Sequence, residues 1–350
     1  MSLLAGFDLN ALEVRQLVAE LQTLVHGYID NIYQYAQQDI LFQLRKGKKH
    51  YVRVIAHAAW LTQLKEEAPQ KIGGFCAVLR KNINNLRIDA IEQIGSERII
   101  SIALREFVLY LELFGKGNII LTRRGRIVAA QFSIIFADRE IKIGRIYHPP
   151  QRPSLFTIDT LDLGKEPVSK VLAQAGLGQA YAKELCHEAG IAPSALQADA
   201  TQLIQKIQAM IQRCDPVVMP NDPPYARLFA FHDEQKATKY PSFSAALDAF
   251  LPERIVAERK AQDESPLLRA QQKHERTLQL QQEHIAELEQ MEMEARRKAE
   301  LLYENYQKVS LLLAEMQKYH RSPHWKDIVG QAKPLIKSVD EKKKQVTIVL

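Results

Sequence analysis

Residues that could perform acid–base or nucleophilic chemistry are dispersed along this sequence and match no recognised catalytic pattern. There is no P-loop, no GxGxxG after a strand, no HExxH and no GxSxG. His26, His50 and His57 fall in one region, but no metal-ligand spacing links them. The three cysteines form no CxxC pair, which argues against a cysteine-based zinc or redox centre. We therefore predict a binding protein with no catalytic residues, no metal and no cofactor.

Basic residues are concentrated near a few predicted turns, where they could contact a polyanion. The chain has a formal net charge of +6 and a pI of about 9.0. The clusters are Arg45, Lys46, Lys48 and Lys49 at one turn, Arg80 and Lys81 beside a predicted helix, and Arg123, Arg124 and Arg126 at another turn. Such clusters neutralise phosphates and give salt-dependent RNA binding. Charged turns also simply keep proteins soluble, and the sequence leaves both interpretations open.

The elements that must position these residues begin with a helix and a series of short strands. Apolar residues at three- and four-residue spacing predict a helix over residues 9–25, with Asp8 as its N-cap. Eight short strands separated by turn signals follow to residue 130, interrupted by a helix near residues 75–85. This pattern favours an antiparallel sandwich or barrel, so we predict an α+β fold whose first domain spans residues 1–152.

Helical patterns dominate the next part of the chain. The pattern over residues 165–214 predicts short helices at 167–173, 179–189, 194–198 and 199–212. Breaks between them include Gly176-Leu177-Gly178. Residues 215–262 carry mixed strand and helix signals and form a connecting segment. We therefore predict a small helical domain over residues 165–214, followed by this mixed segment.

The third part of the chain predicts a coiled-coil arm. No residue breaks a helix from Pro266 to about His320, and apolar heptad positions run from Leu278 to Met316. Such a seam at residues 266–320 needs a partner helix. Self-association could supply it, or an antiparallel hairpin completed by sequence that this chain lacks. Residues 342–350 predict a basic turn entering a strand. We expect residues 321–350 to begin a further region, and the chain to be an N-terminal fragment.

Composition and hydropathy narrow the class of protein. The chain is 46% hydrophobic and 25% charged, which is typical of globular proteins and excludes a largely disordered chain. No apolar run approaches the roughly 18 residues of a membrane helix. The opening MSLLAGFDLN has no signal-peptide pattern. We predict a cytoplasmic protein with no membrane partner.

Five sequence phrases together resemble the NFACT family, which includes NEMF, RqcH and fibronectin-binding protein A. They are FDL at 7–9, FCAVLRKNI at 75–83, GSERII at 95–100, LELFGKGNIILT at 111–122 and GLGQAYAKELC at 176–186. Their order and spacing match the family through nearly the whole chain, and we expect an archaeal-type member. The most specific phrases are GNIILT and GLG followed by YAKELC.

The resemblance implies a fold and a function. It implies an NFACT-N domain similar to the N-terminal domain of formamidopyrimidine-DNA glycosylases, then a helix–hairpin–helix domain and a coiled coil. It also implies ribosome quality control: binding of large ribosomal subunits obstructed by peptidyl-tRNA, and recruitment of aminoacyl-tRNA, expected to be tRNA-Ala, for untemplated C-terminal tailing. Peptidyl transfer would belong to the ribosome, so the protein itself would not be an enzyme.

The resemblance also implies site residues. Asp8 matches an aspartate that the family uses in tRNA binding and tailing, and Glu97-Arg98 fall on an Asp-Arg pair. Glutamate therefore replaces the usual aspartate and reaches one methylene further. Gly176 and Gly178 would form the helix–hairpin–helix turn and could face a phosphate. The alternative roles are structural: Asp8 as a helix cap, Glu97-Arg98 as a charged strand start, and the glycines as part of a packing module.

Three other functions remain as alternatives. A DNA glycosylase or lyase would need the N-terminal proline and adjacent glutamate of that group, whereas this sequence starts Met1-Ser2-Leu3. A surface adhesin would need a secretion signal, which the sequence does not show. A coiled-coil, nucleic-acid-binding scaffold without tailing activity is the main alternative, and light scattering of the chain would detect its self-association.

Overall fold

The computed structural model divides the chain into two compact units, residues 1–262 and residues 263–350. It describes residues 7–69, 71–136, 139–150, 156, 165–221, 223–234, 236–319, 336–340 and 345–349, with backbone alone at 261–272, 275, 319, 339–340 and 345–346. The predicted boundaries at 152, 165 and 214 fall inside the first unit and remain predictions.

The first helix begins two residues later than the sequence pattern indicates. Helix α1 spans Ala11–Leu21 and continues as a 3-10 turn at Gln22–Leu24. Its N-cap is Asn10, which forms a capping box with Glu13: each side chain accepts from the other residue's backbone N–H at 3.0 Å. The prediction that Asp8 caps this helix is therefore wrong. Asp8 lies outside the cap, and its carboxylate is available for other contacts.

Two antiparallel sheets follow α1, which confirms the prediction of antiparallel β structure. The first contains β1 Tyr28–Ala36, β2 Asp39–Lys46, β3 Lys48–Ile55 and β4 Ala58–Thr62, in that order. The second contains β5 Ala90–Gln93, β6 Ile99–Leu104, β7 Phe107–Glu112, β8 Asn118–Arg123 and β9 Arg126–Ala130. Helix α2, Gly74–Ile83, connects the sheets, and β10 Ile134–Ile135 pairs with β11 Glu140–Ile141. Strand β4 was not predicted from the sequence.

The two sheets and α1 share one hydrophobic core. Buried side chains of the first sheet, such as Phe42 and Val54, meet Ile102 and Leu111 of the second around a small internal space that Leu21 also lines. Apolar burial of this kind contributes about 25 cal/mol per Å². The core therefore fixes the start of α1 relative to both sheets.

The next segment is helical and packs on this core. Helix α3 spans Val168–Leu172, a π-helical turn covers Ala173–Leu177, and α4 and α5 span Gly178–Glu188 and Ala200–Gln212. The helix predicted at residues 194–198 does not form, because the carbonyls of Pro193 and Ala195 accept hydrogen bonds from the first amides of α3. Strands β12 Val217–Met219, β13 Tyr225–Arg227 and β14 Thr238–Lys239 form a small sheet before helix α6, Phe243–Asp248.

A long helix starts earlier than the sequence pattern predicts. Helix α7 spans Leu251–Glu304, and α8, Tyr306–Tyr319, follows after a turn at Asn305. Pro252 lies in the first turn of α7, where a missing N–H costs little, so the helix begins there and not at Pro266. Predicted seam residues are largely exposed: Leu278, Ile285, Leu288, Leu302, Tyr306 and Leu313. Pairing in a coiled coil remains a prediction.

Two further findings concern the remaining elements. Strand β15, Ile336–Asp340, pairs antiparallel with β16, Gln345–Ile348, which confirms a strand at the predicted position near the end of the sequence. Among the residues described, no helix combines the length and apolar character needed to cross a membrane.

Candidate functional site

A cleft of about 860 Å³ lies where the start of α1, the turn before β6 and the π-helical turn meet. Its lining includes all three residues of the implied tailing site, Asp8, Glu97 and Arg98, together with Gly176 and Gly178. Residues 223–227 and Arg254 also line the cleft. The cleft therefore brings together the two sets of residues that the sequence analysis identified separately.

Asp8 interacts with side chains from two other elements. Arg98 donates from Nη1 to the Asp8 carboxylate and also to the Leu9 carbonyl, the latter at 3.2 Å. His57, in the turn between β3 and β4, places Nδ1 3.4 Å from the same carboxylate oxygen. Burial raises the pKa of Asp8, but the interactions with His57 and Arg98 outweigh burial and leave the pKa below its ordinary value. Asp8 is therefore a carboxylate at neutral pH, and it orients Arg98.

Glu97 is positioned by a turn that is tied to α1. Its side chain lies in the cleft lining and is largely buried, whereas 28% of the Arg98 side chain is exposed. The Gln93 amide group donates to the Glu97 carbonyl at 3.0 Å and to the Ala11 carbonyl at 2.8 Å. This double hydrogen bond holds the turn against the start of α1, and so keeps Glu97 and Arg98 near Asp8.

Gly176 and Gly178 allow the helical segment to approach α1 closely. Their φ angles are +126° and +74°, which favour glycine. A Cβ on Gly178 would lie 2.9 Å from Cβ of Asn10, and one on Gly176 would lie 3.2 Å from Cβ of Ser96. The Gly178 amide donates to the Ala173 carbonyl. These contacts support a packing role for the turn that contains both glycines, and the Gly178 amide is used within the protein.

A buried carboxyl group, Glu13, lines the cleft behind Asp8. Its Oε1 accepts a hydrogen bond from the Tyr181 hydroxyl at 3.0 Å, and its Oε2 accepts from the Asn10 amide. Burial raises the pKa of Glu13 to about 7, although both hydrogen bonds and the charge of Arg227 favour the ionised form. Glu13 is thus a buried group that titrates near neutral pH beside the candidate site.

Several residues of this site were not predicted from the sequence. Arg227 and Arg254 add positive charge to the cleft lining, and Arg227 Nε lies 3.1 Å from Glu234 Oε1. Both arginines lie in residues 215–262, where strand and helix signals are mixed, so no sequence pattern indicated that they belong to the site. No sequence pattern connected His57 with Asp8, because their proximity depends on how the β3–β4 turn folds back.

The predicted basic clusters do not line the cleft. Arg45, Lys46, Lys48 and Lys49 are exposed on the β2–β3 hairpin, and Lys81, Arg123, Arg124 and Arg126 are exposed elsewhere. Arg80 donates to the Ile32 carbonyl at 2.7 Å, and Arg123 and Arg124 both pair with Glu106. Their role in RNA binding remains a prediction. Arg80, Arg123 and Arg124 already contact protein groups, which reduces the positive charge that they can offer to RNA.

A second group of polar side chains lies away from the cleft. Glu184 and His187 on α4 meet His232, from the loop after β13, with their potential ligand atoms within 4.8 Å of one another. Glu184 and His187 have the i, i+3 spacing of one helix face, which the sequence shows; the approach of His232 is a tertiary feature. Within the described part of the chain, these residues have a composition suited to a metal ion.

Comparison with known proteins identifies the family. A family model described as NFACT N-terminal and middle domains matches residues 10–329. The archaeal Rqc2 homologue aRqcH of Methanocaldococcus jannaschii is 23% identical over 98% of this chain and 58% of its own length. The Rqc2 homologue RqcH of Bacillus subtilis is 28% identical over 69% of this chain and 49% of its own length. The chain thus spans about half the length of these two relatives.

Solved structures support the same fold. The N-terminal part of the fibronectin/fibrinogen-binding protein of Streptococcus suis matches 70% of this chain and all of that chain, with a TM-score of 0.58 and 23% identity. The fibrinogen-binding protein of Staphylococcus aureus matches 69% of this chain and 98% of that chain, with a TM-score of 0.57 and 21% identity. The family model matches most of the sequence, and the five sequence phrases lie within or beside the matched residues. This chain therefore belongs to the NFACT family.

Proposed function

We propose that this chain is the tRNA-binding part of a ribosome quality-control factor. In this proposal the factor binds large ribosomal subunits obstructed by peptidyl-tRNA and recruits aminoacyl-tRNA, with tRNA-Ala as the expected species, for untemplated tailing. The observation that carries the proposal is the cleft that unites Asp8, Glu97 and Arg98. The names of the relatives, which include a yeast ribosome quality control complex subunit 31% identical over 43% of this chain, support the same role.

The chemistry of the cleft suits RNA. Arg98, Arg227 and Arg254 supply guanidinium groups that can pair with phosphates or a guanine edge. Asp8 and Glu97 supply carboxylates that can accept hydrogen bonds from base amino groups or from a ribose 2′-hydroxyl. The volume of about 860 Å³ lies within the range of about 300–1,000 Å³ that ligand pockets occupy, so it fits a terminal or flipped segment of RNA rather than a duplex.

Peptidyl transfer in this proposal is performed by the ribosome. The role of the protein is to hold the tRNA in register, with Asp8 orienting Arg98 and Glu97 fixed by the turn tied to α1. Binding energy from several weak contacts would then select the tRNA without chemistry in the protein itself.

The test is tRNA binding by the purified chain at several salt concentrations. Arg98→Ala should weaken binding by roughly 5- to 150-fold, equivalent to about 1–3 kcal/mol for a positioned arginine. The matched control is Arg145→Ala, which removes an exposed arginine paired with Glu140 at 3.1 Å outside the cleft lining. The control should change binding by no more than a generic surface charge does.

Tailing and ribosome association need the protein in its own cells. RNA recovered with the protein should include large-subunit RNA and an enriched tRNA, and Asp8→Ala and Arg98→Ala should lose the tRNA while retaining the subunit. Equal weakening of tRNA binding by Arg98→Ala and Arg145→Ala, or no enrichment of subunit and tRNA, would contradict the proposal.

The exposed apolar seam of α7 and α8 favours a second candidate function, a nucleic-acid-binding scaffold that self-associates. Leu278, Ile285 and Leu313 each expose more than half of their surface. Single apolar residues at such positions are common, but a heptad series favours helix pairing. Sedimentation equilibrium of the chain, compared with a Leu278→Glu/Ile285→Glu variant, would test it: a dimer that becomes monomeric supports the scaffold, and a monomer in both excludes it.

A further inference from the structure

The side-chain cluster formed by Glu184, His187 and His232 has features that the proposed function does not use. Glu184 and His187 lie one turn apart on α4, and His232 follows β13 in the chain. The two imidazole rings are stacked, with centroids 3.5 Å apart and planes inclined by 10°. Potential ligand atoms of all three residues lie within 4.8 Å of one another, beside an open pocket. Two imidazoles and a carboxylate therefore converge at one place.

Glu184 is a buried carboxylate, and among the described residues its hydrogen-bonding partner is His232. Its side chain is 5% exposed, and its oxygens meet the His232 backbone N–H at 3.0 Å and the His232 Nδ1 atom at 2.7 Å. The nearby cations Lys206 and Arg213 contact a different residue, Glu188, through its carbonyl and its carboxylate. A buried carboxylate is costly unless a positive charge compensates it, and here either a protonated His232 or a metal ion held by both residues would supply that charge.

We propose that Glu184, His187 and His232 bind a divalent transition-metal ion such as Zn²⁺. Imidazole nitrogen and carboxylate oxygen are ligands that Zn²⁺ prefers, and three protein ligands with water at the fourth position make a tetrahedral site. Ligand atoms in such a site lie about 3.4 Å apart, given bonds of about 2.0–2.1 Å. The potential ligand atoms lie within 4.8 Å of one another and must move closer together to bind the ion. Rotation of the two exposed imidazoles about their side-chain bonds allows this.

Metal binding would connect two elements that also form the candidate cleft. The bound ion would link α4 to the loop after β13, and β13 contributes Arg227 to the cleft lining. The Tyr181 hydroxyl on α4 already accepts a hydrogen bond from the Leu228 amide at 2.8 Å in the same loop. A metal would thus reinforce an existing connection and stabilise the wall of the cleft.

The test is a Zn²⁺ titration of the purified 350-residue chain, in competition with a fluorescent chelator, repeated with Co²⁺ to record the visible absorption of a tetrahedral site. The unaltered chain should bind one ion with saturation. His187→Ala and His232→Ala should each lower the affinity beyond the roughly 10–100-fold that loss of an outer-shell partner costs. The matched control is His284→Ala, which removes an exposed histidine 3.8 Å from Glu287 at the same i, i+3 spacing, and should leave this affinity unchanged.

Both test variants alter exposed side chains, so the fold should persist, and the fluorescence of buried Trp60 in a Trp325→Phe background checks this directly. Loss of affinity in both variants supports the site. Absence of saturable binding by the unaltered chain, or unchanged affinity in either variant, overturns the proposal.

Discussion

The Tyr181 hydroxyl donates a hydrogen bond to the Glu13 carboxyl group at 3.0 Å, joining two buried residues 168 positions apart. The same hydroxyl accepts a hydrogen bond from the Leu228 amide. One phenol group therefore connects the first helix, helix α4 and the loop after β13. These three elements surround the cleft that holds Asp8 and Arg98, so the connection controls the geometry of the candidate site.

Glu13 should make the stability of the protein depend on pH. Burial raises its pKa from 4.5 to about 7, so the folded chain holds this proton more tightly than the unfolded chain. The contribution of Glu13 to the free energy of unfolding should therefore fall as pH rises from about 4.5 to about 7, and stay low above pH 7. At about 1.4 kcal/mol per pH unit, the decrease is roughly 3 kcal/mol.

The measurement is urea unfolding between pH 4.5 and 8, followed by Trp60 fluorescence in a Trp325→Phe background. Glu13→Gln should remove this pH dependence, because an amide does not titrate. The control Glu289→Gln, at an exposed position on α7, should leave it in place. An unchanged pH profile in Glu13→Gln would show that Glu13 is not the responsible group.

Tyr181→Phe should destabilise the first unit and perturb Glu13. It leaves the buried Leu228 amide without its acceptor and removes a hydrogen bond that favours ionised Glu13. A buried group left without a partner costs about 1–3 kcal/mol, so we expect a loss of roughly 2–4 kcal/mol in total. The pKa of Glu13 should rise further.

A double-mutant cycle with Glu13→Gln tests the connection between the two residues. Denaturation midpoints of the two single variants and the double variant should be non-additive, because the two side chains share a hydrogen bond. Strict additivity would mean that the two groups act independently.

Gly178→Ala should destabilise the protein more than Gly190→Ala, a substitution at another glycine with positive φ. Its Cβ would lie 2.9 Å from Cβ of Asn10, whereas a Cβ on Gly190 would meet nothing within 4 Å. Both φ angles are positive, +74° and +68°, so both substitutions are strained, and Gly178, with a ψ of 161°, also adopts a conformation that is essentially restricted to glycine. We expect an additional loss of about 1–3 kcal/mol, as for an overpacked core. Equal thermal midpoints for the two variants would argue against close packing of the hairpin on α1.

His57→Ala should raise the pKa of Asp8. The interaction with His57 is one of two that hold this pKa down, and burial, which raises it, would remain. Carboxyl-carbon NMR titration measures the change directly. His50→Ala, on strand β3, serves as the control and should leave Asp8 unaffected. An unchanged Asp8 titration in His57→Ala would mean that Arg98 alone sets it.

Glu97 should act through its charge rather than its length. If the carboxylate contributes to tRNA binding, Glu97→Gln should weaken binding by about 5-fold or more, the equivalent of about 1 kcal/mol. Glu97→Asp keeps the charge and should retain most of the affinity, although the side chain is one methylene shorter. Filter binding of labelled tRNA compares the two variants. Equal weakening by Asp and Gln would show that reach, not charge, is decisive.

Much of the fold follows from patterns that are local in the sequence. Period-two apolar residues between glycine turns indicated most of the antiparallel strands, and three- and four-residue spacing indicated α1, α4 and α5. Errors occurred where non-local hydrogen bonds decided the outcome. The carbonyls of Pro193 and Ala195 accept hydrogen bonds from the first amides of α3, and residues 194–198 form no helix. The error at the α1 cap was separate and local: Asn10, and not Asp8, lies three residues before Glu13 and pairs with it.

The sequence by itself determined the antiparallel and helical character of the chain, its net charge, and the residue types at Asp8, Glu97 and Arg98. Only the tertiary structure decided that these three residues share a cleft with Gly176 and Arg227, and that His57 contacts Asp8. The reason is physical: local patterns record which face of an element is buried, because burial repeats with the period of a helix or strand. Which elements then meet depends on core packing between segments far apart in the chain, and no periodicity in the sequence records it.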